Sequence, residues 1–311
     1  MVRTKLKSLK QQGTRKKSKI LGRGRVDFSR PLLYNKIMFS YLGGKKFQAK
    51  WIARHFPKHK TYVEPFGGAY WVYFVANHQI DQAHVNVYND FNKDIANIFY
   101  CARHKDREFL KELLSHEPQN EELFNQFKSD LIPFNTDFEL GDVQRATKYI
   151  YLQSQSFSGD TLNEKTKFVD LKGKYKSKYQ HFIDKISNKK WLYHIKGITQ
   201  VHNESYETII DMYDNDDTLF YCDPPYFKME DYYVQDFQRH QHKELAEKLK
   251  GIKGKFVLSY YDFPELETWF PKHEYFWIEK EFNKQNASKS KGAGKGKEIL
   301  ITNYQPALTL E

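Results

Sequence analysis

Two apolar periods alternate along this chain. From Lys46 to Phe56 the apolar residues fall at Phe47, Trp51, Ile52 and Phe56, the spacing of one helix face, and Pro57 ends the segment. Thr61-Tyr62-Val63 then predicts a short strand running into a glycine-rich turn, Glu64-Pro65-Phe66-Gly67-Gly68, and the apolar stretch 69–76 predicts the start of a helix. His84 to Tyr88 alternates as a second strand and ends at Asn89-Asp90, and Asn92 is placed to cap the helix that follows. Strand, glycine turn, helix, strand and acid, in that order, open a Rossmann-like nucleotide site.

The pattern changes between about 105 and 204. That stretch is rich in Lys, Asn, Gln and Ser and contains helical pieces such as 143–152, as expected of a module inserted into a sheet domain. Sheet pattern then returns. Strands are predicted at 218–222, 255–260, 275–281 and 298–303, with helices at 241–250 and 265–270. The segment 288–297 between the last two strands is basic, glycine-rich and read as a loop. Residues 1–33 show no apolar period and are read as a disordered basic tail. The expected organisation is therefore a tail (1–33), a sheet domain in two pieces (34–104 and 205–311) and an inserted domain (105–204).

Composition narrows the class. With 311 residues, 40% apolar and 29% charged, the chain suits a folded globular protein with a sizeable core. Two cysteines, Cys101 and Cys222, point to a reducing cytoplasmic compartment without a structural disulfide. No signal peptide and no apolar run near membrane-spanning length is found, so no membrane partner is expected. The net charge is +11, but residues 1–25 hold ten of the 50 Lys and Arg and none of the 39 acids, which leaves the rest close to neutral. A polyanion such as DNA fits that basic tail. No metal site is expected, because Pro57 separates His55 from His59, and Cys101 and His104 lack partners at zinc spacing.

The sharpest chemical signal is Asp223-Pro224-Pro225-Tyr226, directly after the apolar strand. Two prolines stiffen the turn and leave their carbonyls free of competing N–H groups. A turn after a parallel strand lies at the carboxyl edge of the sheet, where ligands bind. Asp223 and a proline carbonyl are two acceptors set side by side, able to grip an amino group by its two hydrogens. Tyr226 offers a ring for stacking. Asp90 at a strand end suits two ribose hydroxyls. Tyr41-Leu42-Gly43-Gly44-Lys45 adds a turn and a cation suited to a carboxylate. It lacks the spacing of a phosphate-binding loop, and so does the 291–297 segment.

Taken together these segments resemble the Dam-type, alpha-group DNA adenine methylases, over roughly residues 36–304. The segment 41–45 looks like the family's amino-terminal cofactor motif, 64–68 like its glycine-rich motif, and Asn89-Asp90 like its ribose-binding acid. Residues 145–159 are similar to the helix and loop of its target-recognition region, and 223–226 matches its catalytic motif. Segments 256–259 and 298–304 look like its late strands. The resemblance implies a seven-stranded methyltransferase sheet and S-adenosyl-L-methionine as cofactor. The implied substrate is an adenine flipped out of duplex DNA, methylated at its exocyclic amine. The catalytic residues would be Asp223, Pro224, Pro225 and Tyr226, and the cofactor would meet Tyr41, Lys45, Glu64, Pro65, Phe66, Gly68, Asp90 and Asp223. DNA contacts are expected from Arg145, Gln153, Gln155, Ser156 and Ser158, and from Lys289 and Lys291. A monomer is expected, with a cognate restriction endonuclease as a compatible partner. The chain departs from the family at Tyr70, where a small residue is usual, and in the 153–157 loop, so the target sequence is not read. Two other readings use the same residues: a methyltransferase acting on RNA or on a glutamine side chain, and a DNA-binding relative without catalysis.

Overall fold

Among the described residues, strands and helices alternate before and after a run of helices. The computed structural model describes residues 44–75, 83–132, 137–156, 165–170, 177–226, 237–283 and 295–307, all in the unit Asn35–Glu311. The first part holds α1 (Ala49–Ala53), β1 (Thr61–Glu64), α2 (Trp71–Val75), β2 (Val85–Asn89) and α3 (Lys93–His104). The helical run is α4 (Asp106–Leu114), α5 (Glu121–Leu131), α6 (Val143–Gln155), α7 (Lys178–Ile186) and α8 (Lys189–Lys196). The last part holds β3 (Gln200–His202), α9 (Tyr206–Tyr213), β4 (Thr218–Cys222) and α10 (Arg239–Lys250). It ends with β5 (Lys255–Tyr260), α11 (Leu266–Trp269), β6 (Phe276–Asn283) and β7 (Lys295–Thr302).

The seven strands form one sheet in the order β3-β2-β1-β4-β5-β7-β6. Pairings among β1 to β5 are parallel, and β7 runs antiparallel to both β5 and β6. This is the α/β, Rossmann-like methyltransferase sheet that the resemblance implies. Side chains alternate across it with the strand period of two. Tyr62, Tyr88, Leu219, Tyr221, Val257 and Leu300 pack on one face, among α1, α2, α3 and the helical run. Val63, Val87, Phe220, Cys222, Leu258 and Ile301 pack on the other, against α9 and α10. Both faces are covered, which is why the central strands read as continuous apolar runs. The strand order reverses between β1 and β4, and at such a switch point a crevice opens at the carboxyl edge.

Several elements differ from the apolar pattern. α1 is shorter than the predicted helix, because Arg54, His55 and Phe56 donate to carbonyls three residues back and tighten the last turn. β3 lies within the stretch read as an insert. It is only three residues long, yet it pairs with β2 from Val87 to Asn89 and extends the sheet. α6 runs through Gln153 and Gln155, where a loop was expected, since its inward face stays buried to the last residue. β7 begins at Lys295, so part of the basic segment is strand, laddered against β6 as far as Asn283. Asn92 caps α3 as predicted, accepting from the N–H groups of Asp94 and Ile95. Cys101 and Cys222 are both free and buried. Among the described residues no helix is long and apolar enough to cross a membrane, and no cluster of His, Cys, Asp and Glu could hold a metal ion.

Candidate functional site

The carboxyl ends of β2, β1 and β4 lie side by side, so Asp90, the glycine turn and Asp223 share one edge of the sheet. The turn after β1 is drawn tightly against the end of β2. Gly67 N–H donates to the Asn89 carbonyl at 2.7 Å, the Asn89 side-chain amide donates to Pro65 O at 2.8 Å, and Tyr88 OH donates to Gly68 O at 2.8 Å. A Cβ on Gly67 would stand 2.4 Å from the Tyr88 ring and 2.8 Å from Asn89 O, so only glycine allows this approach. Gly68 takes φ +48°, a left-handed conformation that glycine adopts freely.

Asp90 ties the two strand ends together. Its Oδ2 accepts the Gly68 N–H at 2.7 Å and its Oδ1 the Asn92 N–H at 2.8 Å. Burial pushes the carboxyl up to about 6, against the pull of these two backbone donors. Each oxygen keeps a further lone pair, so the group fits a pair of ligand hydroxyls without giving up its own bonds. Asn203, just after β3, donates to the carbonyls of Asp90 and Phe91 and fixes this end of the crevice. Phe66 is half-buried, stacked on Tyr206 at 5.3 Å. Pro65 and Glu64 are buried, and Tyr62 OH donates to Glu64 at 2.6 Å. Burial and the nearby Asp223 charge raise the Glu64 carboxyl well above its ordinary range, against the Tyr62 bond.

Tyr70, the departure in this motif, has φ +55°, rare for a bulky side chain. Its ring is fully buried between Tyr73, stacked at 4.5 Å, and Tyr88, edge-on at 5.0 Å. Its hydroxyl donates to Val87 O at 3.2 Å. Packing and a hydrogen bond thus hold a conformation that the backbone alone disfavours.

On the β4 side, Pro224 is buried, and Pro225 and Tyr226 are half-buried. Asp223 continues the alternation of β4 and points to the same face as Tyr221. Its side chain is 18% exposed and lies 3.0 Å from the ammonium of Lys45, which is almost fully buried. The same ammonium lies 3.0 Å from Glu298 Oε1, donates to Tyr226 OH, and sits 4.3 Å from the Tyr226 ring centre. Tyr226 OH donates to Glu298 Oε1 at 2.6 Å, and Ser259 Oγ donates to the same oxygen at 2.5 Å. Burial lowers the Lys45 ammonium, but the two carboxylates outweigh it and leave it above its ordinary value. Burial raises Asp223 to about 7; Lys45 opposes that shift and Glu298 adds to it. A buried cation between two carboxylates is a compensated group, and so tolerable at this depth.

The structure therefore brings Lys45, Glu64, Pro65, Phe66, Gly68, Asp90, Asp223, Pro224, Pro225 and Tyr226 to one edge. Lys45, expected against a cofactor carboxylate, has two protein carboxylates as its partners. Glu298, Ser259 and Gly67 belong to the same region and were missed as site residues. The signal for Glu298 is a charged residue heading an otherwise apolar strand, buried in the structure. The expected DNA-reading residues on α6 lie inward. Arg145 forms a bidentate pair with Asp94, at 2.6 and 3.1 Å, and stacks over Phe138. Gln153, Gln155 and Ser156 are buried, and Gln155 accepts from the Gln119 amide at 2.7 Å. Tyr41, Ser158, Lys289 and Lys291 lie outside the described residues.

Comparison with known proteins agrees with this geometry. The family profile for D12 class N6 adenine-specific DNA methyltransferases matches residues 41–285. The DNA adenine methylase of Escherichia coli (strain K12) is 24% identical over 293 residues, covering 88% of this chain and 97% of that protein. The Type II methyltransferase M1.LlaDCHI of Lactococcus lactis subsp. cremoris is 25% identical over 279 residues, covering 85% and 94%. The Type II methyltransferase M.CviBI of Paramecium bursaria Chlorella virus NC1A is 22% identical over 227 residues, covering 72% and 82%. With a family match over most of its length and the proline turn, the glycine turn and Asp90 on one sheet edge, the chain belongs to the D12 class of N6 adenine-specific DNA methyltransferases.

Proposed function

We propose that the crevice flanking β1 works as two half-sites, the donor at the glycine turn and an extruded adenine at the corner 223–226. The reaction itself is that of the family, N6 methylation of adenine in DNA, and S-adenosyl-L-methionine supplies an activated methyl group. Asp90 receives the ribose hydroxyls, and Glu64, Pro65, Phe66 and Gly68 line the donor side. Asp223 and a carbonyl of the proline pair accept the two hydrogens of the adenine amine. That contact turns the nitrogen lone pair outward and stabilises the positive charge that develops on it. Tyr226 flanks the base, and the fixed placement of both reactants supplies much of the rate.

One observation carries this reading: Asp90 and Asp223 end strands on either side of β1, with the glycine turn between them. Mapping N6-methyladenine in DNA from cells that express the chain tests it. Methylated adenines are expected with the natural sequence, and only a small residual level with Asp223→Ala; methylation by the variant at the natural level would overturn the assignment.

The proposal extends to organisation. Residues 34–104 and 200–311 form the catalytic domain, since β3 belongs to its sheet, the helical stretch 105–199 reads the target, and the basic tail 1–33 holds the duplex, aided by Lys289 and Lys291. With Arg145, Gln153, Gln155 and Ser156 turned inward, the recognition surface is drawn from other parts of the stretch. The chain acts as a monomer in the cytoplasm. The names of the two Type II relatives support a cognate restriction endonuclease as its counterpart.

A further inference from the structure

Beneath the catalytic corner, one carboxylate oxygen collects three donors from three parts of the chain. Glu298 heads the apolar part of β7, which is antiparallel to β5, so its early residues arrive at the edge where the parallel strands end. Leu300 faces the side of the sheet that holds Tyr221 and Val257, and the strand period puts Glu298 on that side too. There its Oε1 meets Lys45, Tyr226 OH and Ser259 Oγ at 3.0, 2.6 and 2.5 Å. Lys45 in turn reaches Asp223 at 3.0 Å. Of the four residues of the corner, the first and last are thus tied to Glu298, directly or through one ammonium. The prolines stiffen the backbone between them, but they do not fix where the Asp223 and Tyr226 side chains point.

We propose that Glu298 is a positioning residue for methyl transfer, acting through Lys45 and Tyr226 to hold Asp223 and the Tyr226 ring in their working orientation. This rests on the corner being the amine site. It adds a residue from the far end of the chain, outside the motifs that mark the site and beyond the span 41–285 matched by the family profile.

Glu298→Gln keeps size and an acceptor but removes the charge. Weakening the charge-assisted bonds to Lys45 and Tyr226 is expected to slow single-turnover methyl transfer by about 10- to 100-fold. Cofactor affinity, read by calorimetry, should hardly move, while the melting transition falls because Lys45 keeps only one buried carboxylate. The pH profile gives a readout that mere packing would not shift. Lys45 and Glu298 face Asp223 directly, and Glu64 lies close enough to interact with it. The phenols of Tyr221 and Tyr260 and the thiol of Cys222 are raised and stay neutral over the assay range. Since the Glu298 charge helps to raise Asp223, the acid limb of the single-turnover profile should shift to lower pH in Glu298→Gln. In a Tyr226→Phe background the same substitution should cost less than in the natural chain, because one of its two routes is already cut. Should Glu298→Gln not fold, Ser259→Ala removes one donor to Glu298 and should slow the same step by about fivefold, with unchanged cofactor affinity. Wild-type single-turnover rates and an unshifted acid limb in Glu298→Gln would overturn the proposal, as would full additivity with Tyr226→Phe. Asp223→Ala, run alongside, separates the two ideas: if it is inactive while Glu298→Gln is normal, the amine site stands and Glu298 falls.

Discussion

Asp90 has both carboxylate oxygens engaged by backbone N–H groups, while burial works against its charge and brings it to about 6. Ribose hydroxyls donate more strongly to the ionised form. Protonation therefore competes with cofactor binding, and affinity is lost as pH falls through about 6, by up to about tenfold per unit below it. Calorimetry of S-adenosyl-L-methionine binding across that range should show the loss, and Asp90→Asn should flatten it. A pH-independent affinity in the natural chain would contradict the role. At this scale the sequence is uneven. Asp223 is legible because two prolines follow it and an apolar strand precedes it. Glu298 is not, because its meaning depends on β7 turning antiparallel and delivering it across the sheet. Lys45 is half legible: the cation is expected, but its partners lie 178 and 253 positions along the chain.

Among the elements, α6 shows where reading by motif and reading by burial part. Its amino-terminal half carries Arg145, a residue type associated with DNA, yet the guanidinium is spent on Asp94 of α3. Both side chains are largely buried, so Arg145→Ala strands a carboxylate and should cost about 3 kcal/mol of stability. Denaturant unfolding checks the cost. A stable variant with weakened DNA binding would return Arg145 to the interface. Length decides legibility for the other elements. The long apolar runs of β4 and β5 are plain in the sequence. β3 is three residues in a polar stretch and takes its structure from pairing with β2, a non-local partner that no local period reveals. The end of α1 is set by a local tightening of its last turn, and that of α6 by burial up to Gln155.

For the whole molecule, the net positive charge is unevenly placed along the sequence. The described core is a sheet covered on both faces, and the excess positive charge lies in residues 1–25. Deleting those residues should weaken DNA binding and flatten its dependence on salt, since the log–log slope falls by about 0.9 for every phosphate that the protein no longer neutralises. Turnover on saturating DNA should survive. An unchanged slope, followed by titration at several salt concentrations, would mean that the tail takes no part in binding.

In the proposed mechanism the corner after β4 acts on the amine and not on the donor. Measuring cofactor affinity and single-turnover methyl transfer in parallel on Asp223→Ala tests it most directly. Affinity within about threefold of the natural chain is expected, with a rate lower by about 10²- to 10³-fold. A natural rate, or a loss explained wholly by failure to bind the cofactor, would contradict it.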